Sequence, residues 1–157
     1  MQKRPRLRTT LDYRITPKLQ LGLEYNAAVG ELDLRGNWFI QTESDNRPGI
    51  IFGLSSDRIG TPYGKMYFVT FSKLALAKDN GFGIAPYVSL AYSEFDRGMT
   101  VPFGASIALN DQWNLLPMYD GHRAHTTLTW SAPDGRTSLT AIAAFNKRFG
   151  LSLGRNF

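Results

Sequence analysis

Phe149-Gly150-Leu151-Ser152-Leu153-Gly154-Arg155-Asn156-Phe157 is the stretch whose reading decides the fold. Large apolar side chains stand at 149, 151, 153 and 157, and small or polar ones at 150, 152, 154 and 156. Successive side chains of a strand point to opposite faces, so this segment has one apolar face and one thin, polar face. Soluble domains ordinarily end in frayed polar residues. Here an apolar face runs to the last residue given.

The same alternation recurs upstream. Residues 6–15 set Leu7, Leu11, Tyr13 and Ile15 against Arg6, Arg8, Thr10, Asp12 and Arg14. After the turn Thr16-Pro17-Lys18, residues 19–28 set Leu19, Leu21, Leu23, Tyr25 and Ala27 against Gln20, Gly22, Glu24 and Asn26. Val29-Gly30-Glu31 turns again, and residues 32–41 set Leu32, Leu34, Trp38 and Ile40 against Asp33, Arg35, Asn37 and Gln41. Three hairpin-spaced strands of this kind predict an antiparallel meander.

Further strands are expected at 50–58, 65–74, 83–93, 101–109, 113–119, 122–131, 136–145 and 149–157. In 83–93, Ile84, Val88, Leu90 and Tyr92 oppose Ala85, Tyr87, Ser89, Ala91 and Ser93. In 122–131, Ala124, Thr126, Leu128 and Trp130 oppose Arg123, His125, Thr127 and Thr129. For 65–74 the pattern leaves open which face is outward, that of Tyr67, Val69 and Phe71 or that of Met66, Phe68 and Thr70. No segment has a helical period.

Composition narrows the classes. A chain of 157 residues is expected to be one domain, here a single β-barrel over 1–157. Hydrophobic residues make up 43%, and no run approaches the roughly 20 apolar residues that a spanning helix needs. A barrel strand needs only about ten residues with every second one apolar. With no cysteine, disulfides, thiol catalysis and cysteine metal sites are excluded. The net charge of +5 is densest at Lys3, Arg4, Arg6 and Arg8. That cluster suits a solvated terminus first, with anionic lipid headgroups or a nucleic-acid arm as the other readings; no nucleic-acid partner is expected. It is similar to the start of a signal peptide, but no apolar core follows it.

The two-faced last strand ending in Phe157 resembles the closing strand and C-terminal signal of bacterial outer-membrane β-barrels. The resemblance implies an all-β, antiparallel, up-and-down transmembrane barrel of about 10–12 strands in a Gram-negative outer membrane. It also implies outer-membrane lipid as a partner, and recognition of the terminal strand by the barrel assembly machinery.

A soluble barrel would turn its apolar faces inward, whereas a membrane barrel inverts them. Three features favour inversion. The polar faces carry many small residues (Gly22, Ser89, Ala91, Gly104, Ser106, Gly150, Ser152, Gly154), which suit a crowded lumen. Aromatics gather near strand ends, as interfacial residues do: Tyr13, Tyr25, Trp38, Tyr92, Trp130, Phe145 and Phe157. The expected strands are also long against a soluble norm of roughly five to six residues.

The strands number about eleven, and bacterial barrels have even numbers. If residues 113–119, interrupted by Pro117, do not span, ten remain; if they do, a twelfth strand is expected before Met1.

Motifs for chemistry are sparse. His122 and His125 do not share a strand face, and neither a metal site nor a cofactor is expected. His125, with Ser131 and several Asp residues as distant candidates, is the basis of the alternative reading, a barrel enzyme acting on lipid or envelope substrates. A soluble barrel binding an apolar ligand is the other alternative. The expected role is non-enzymatic, a porin-like narrow channel or a structural membrane protein. Its lumen-facing charged candidates are Arg8, Asp12, Arg14, Glu24, Asp33, Arg35, Arg123 and His125. Buried charges must be paired or solvated, so Arg8, Arg14 and Arg35 are expected to pair across strands with Asp12, Glu24 and Asp33.

Overall fold

The computed structural model describes residues 8–27, 30–58, 61, 63–145 and 148–157. Lys3, Arg4, Arg6 and Leu7, Ala28 and Val29, and Ile59, Gly60 and Pro62 lie outside the described residues. Among the described residues thirteen strands form and there is no helix. The first five are β1 (Arg8–Thr16), β2 (Leu19–Asn26), β3 (Glu31–Gln41), β4 (Gly49–Ser56) and β5 (Lys65–Ser72). Then come β6 (Leu76–Ala77), β7 (Gly83–Ser93), β8 (Gly98–Thr100) and β9 (Phe103–Ala108). Last are β10 (Trp113–Tyr119), β11 (Ala124–Ser131), β12 (Thr137–Ala144) and β13 (Arg148–Arg155).

The sheet is antiparallel and up-and-down, with hydrogen-bonded neighbours in the order β1-β2-β3-β4-β5-β7-β9-β10-β11-β12-β13; β6 and β8 pair with β7 off this path. Setting those two aside leaves eleven strands, in the places the alternation predicts. Among the described residues β1 and β13 do not pair with each other, so the sheet is not closed into a barrel. The doubtful segment 113–119 is a strand despite Pro117. It pairs with β11 throughout, Pro117 lying opposite Thr126. The β9 ladder skips from Leu115–Ile107 to Met118–Gly104, which accommodates a residue with no N–H to donate.

The chain falls into two compact units, Met1–Phe71 with Ser89–Val101, and Ser72–Val88 with Pro102–Phe157. In the first, β1, β2 and β3 pair without a break across Leu11–Leu23–Leu34 and Asp12–Gly22–Arg35. Residues directly opposite share a face, so leucines line one side and charges the other. In the second, Leu115–Leu128–Ala141–Leu151 runs unbroken across β10 to β13 on one face. The row Thr129–Thr140–Ser152 runs on the other.

Burial is the reverse of that in a soluble domain. Leu34 is 58% exposed and Leu90 51%, whereas Glu24 is 4% exposed and Ala91 0%. Among the described residues the buried hydrophobics are only Met66, Ala91 and Ala144. The buried polar residues are Glu24, Asn26, Ser56, Asp57, Thr61, Ser89, Ser93 and His125. The open choice in β5 is decided as well: Tyr67 and Phe71 are exposed and Met66 is buried, with Phe68 turned to the other face, where its ring covers Gly53.

Candidate membrane surface and the polar face behind it

The apolar surface of each unit is ordered along the strands. In the first unit, Tyr13, Trp38 and Phe52 stand near the strand ends at the 17–18 turn and the 42–48 loop. Tyr25, Tyr67 and Tyr92 stand near the opposite ends. Leu21 stands directly opposite Tyr13, and between these rows lie Leu23 and Leu34. In the second unit, Trp113 faces Trp130 near one end. Near the other end the Phe103 and Tyr119 rings pack 5.3 Å apart. Leu115, Leu128 and Leu151 fill the middle. Aromatic rows thus flank an aliphatic band on the exposed apolar face.

Of the expected interfacial residues, Tyr13, Tyr25, Trp38 and Tyr92 are exposed, and Trp130 is partly so. Phe157 is fully exposed beyond the end of β13, with the Arg155 guanidinium 5.9 Å from its ring. Phe145 departs from the expectation. It sits in the β12–β13 turn with a left-handed φ of 57°, and its ring lies against His125 instead of on the apolar surface.

On the polar face of the first unit, two of the expected cross-strand pairs form. Arg8 Nε lies 3.1 Å from Glu24 Oε1, and Arg35 Nε lies 3.1 Å from Asp12 Oδ1. Asp12 and Arg35 belong to β1 and β3, which β2 separates, and both stand opposite Gly22. A Cβ at Gly22 would run into the Asp12 carboxylate, so the glycine opens the lane through which the pair meets. Arg14 and Asp33 share this face by register but make no ion pair among the described residues. The Asp12 and Arg35 side chains are 27% and 29% exposed, so solvent weakens their pair. Arg35→Ala should cost about 1–2 kcal/mol. A double-mutant cycle with Asp12→Asn, read by urea unfolding, checks the coupling; independent effects would show that the two side chains do not meet.

A second polar cluster closes one end of the first unit, and nothing in the alternation announces it. Asp57, 2% exposed, follows the last residue of β4. Its Oδ2 accepts hydrogen bonds from Ser93 Oγ (2.7 Å) and the Phe95 N–H (3.1 Å), and its Oδ1 accepts one from the Arg58 N–H (2.7 Å). Arg58 in turn holds Asp96 with Nε and Nη2, at 3.0 and 2.9 Å. This network fastens the end of β4 to the end of β7 through residues that sequence reasoning passed over.

In the second unit Arg123 departs from the expectation that it stands on one strand with His125. Asp120 Oδ1 accepts the N–H groups of His122 and Arg123, a side-chain-capped turn that delays the strand to Ala124. Arg123 therefore lies in the turn, its guanidinium 4.7 Å from the Phe145 ring. His125 is 3% exposed, and its Nε2 lies 2.7 Å from Asp120 Oδ2, while Nδ1 has no partner among the described residues. Burial pushes the Asp120 carboxyl up, but the hydrogen bonds from His125 and from the Arg123 and His122 amides outweigh it, leaving its pKa below the usual value. Among the described residues Ser131 makes no hydrogen bond to this pair; its N–H bonds the Gln112 carbonyl.

No protein-family model matches the sequence, and no curated protein or solved structure was found to be similar to it.

Proposed function

We propose that this chain forms an integral β-barrel of a Gram-negative outer membrane, acting as a structural membrane protein or a narrow, porin-like channel without catalysis. One observation carries the reading: leucines are exposed in rows while glutamate, asparagine, serine and histidine are buried. Exposing that much apolar surface to water is costly at about 25 cal/mol per Å², whereas lipid removes the cost. Lipid also demands that every backbone polar group be satisfied, which an open sheet edge is not. Closure of the barrel is thus part of the proposal. Eleven strands in up-and-down order leave β1 and β13 running the same way, so antiparallel closure takes one further strand between them. The paired charges on β1 to β3 and the Phe68 ring over Gly53 favour an occluded or narrow lumen over a wide pore.

Detergent tests the reading. The protein should stay monodisperse only in detergent or lipid and should run on gels as a heat-modifiable band. A stable, detergent-free monomer would overturn the membrane assignment and revive a soluble barrel with an apolar ligand.

A further inference from the structure

On the polar face of β2 and β3, next to the turn that joins them, four oxygen-bearing side chains stand on two adjacent rungs. Glu24 is directly opposite Asp33, and Asn26 is directly opposite Glu31. Opposite side chains in an antiparallel pair have Cβ atoms about 5 Å apart, and successive residues on one face are roughly 7 Å apart along the strand. The four therefore mark the corners of a patch small enough for all of them to reach one central point.

Among the described residues three carboxylates meet one counter-charge in the patch, because Arg8 binds Glu24 through Nε at 3.1 Å. Like charges across a ladder repel, and with Glu24 held by Arg8, Asp33 and Glu31 are left without an ion pair among the described residues. Asn26 supplies the independent sign. It is 8% exposed, and its Oδ1 is buried with no hydrogen-bond partner among the described residues. A buried carbonyl oxygen left unpaired needs a donor or a positive charge.

We propose that Glu24, Asn26, Glu31 and Asp33 form a binding site for a hard divalent cation of the calcium class. Carboxylate and amide oxygens are the ligands such ions select, and calcium tolerates irregular, high-coordination sites that magnesium does not. Among the described residues no three acidic or imidazole side chains already converge on one point. Binding therefore draws in Glu31, which is exposed, and Asp33, which is half-buried, around the fixed Asn26 and Glu24.

The site needs only the β2–β3 hairpin of the first unit, so it is measurable whether the protein proves membrane-bound or soluble. Terbium luminescence, sensitised by Tyr25 on β2 and displaced by calcium, reads binding directly. The wild-type protein should give emission that calcium competes away and magnesium displaces poorly. Asp33→Asn should weaken binding by roughly tenfold or more, since the number of charged ligands sets affinity in such sites. Asn26→Asp, of nearly equal size, should strengthen it. No terbium emission, or emission unchanged in both variants, would overturn the proposal and leave Arg8 as the one counter-ion of the patch among the described residues. Circular dichroism of each variant separates lost binding from lost folding.

Discussion

Asp57→Ala is expected to cost about 3–5 kcal/mol of stability, the range for breaking a buried, charged hydrogen-bond network. Its carboxylate satisfies the Ser93 hydroxyl and the amides of Phe95 and Arg58, and Ser93 is fully buried. Removing the acceptor strands the two amides and leaves the Ser93 hydroxyl only its longer bond of 3.4 Å to Asp96 Oδ2, where a truly dry, unsatisfied donor costs about 1–3 kcal/mol. Asp57→Asn keeps one acceptor oxygen and should cost less. Urea unfolding in detergent micelles, followed by tryptophan fluorescence, measures both. An alanine variant as stable as the parent would mean that the end of β4 is not tied to the end of β7 through Asp57.

Leu34→Arg should be nearly as damaging, but only in a bilayer. Leu34 lies mid-strand on the apolar face, opposite Leu23. An arginine at the bilayer midplane costs about 2–4 kcal/mol, falling to about 0–1 near the interfaces. Leu32→Arg, in the same row as Tyr25, is the matched control. Folding yield into liposomes should therefore drop roughly 30-fold or more for Leu34→Arg and change little for Leu32→Arg. On a water-exposed sheet both substitutions would be harmless, and equal yields would count against lipid contact.

The elements of this fold were legible because period-2 alternation is a local property of the chain. Leu19, Leu21, Leu23 and Tyr25 against Gln20, Gly22, Glu24 and Asn26 suffices to place β2 and its faces. Alternation is silent about which face meets water, and in β5 both faces carry aromatics, so Tyr67 and Phe68 could be sorted only by their neighbours. The pairs Arg8–Glu24 and Asp12–Arg35 were foreseeable because one turn or one intervening strand sets their register. The network around Asp57 was not, since its partners Ser93 and Phe95 are 36 and 38 residues away. A local signal did exist for the His125 site: Asp120 before Gly121 is a turn-capping pair, and it draws His125 from five residues off. Gly22 offered another, a glycine inside a strand where a neighbour approaches closely.

The central claim is that the leucine rows face lipid, and the absence of native cysteine makes a direct measurement possible. A bimane fluorophore is attached to single cysteines at Leu34 and Leu151, and at their opposite-face neighbours Asp33 and Ser152, in protein reconstituted into vesicles containing brominated lipid. The account predicts strong quenching at Leu34 and Leu151 and little at Asp33 and Ser152. Equal quenching on both faces, or none at Leu34 and Leu151, would contradict it.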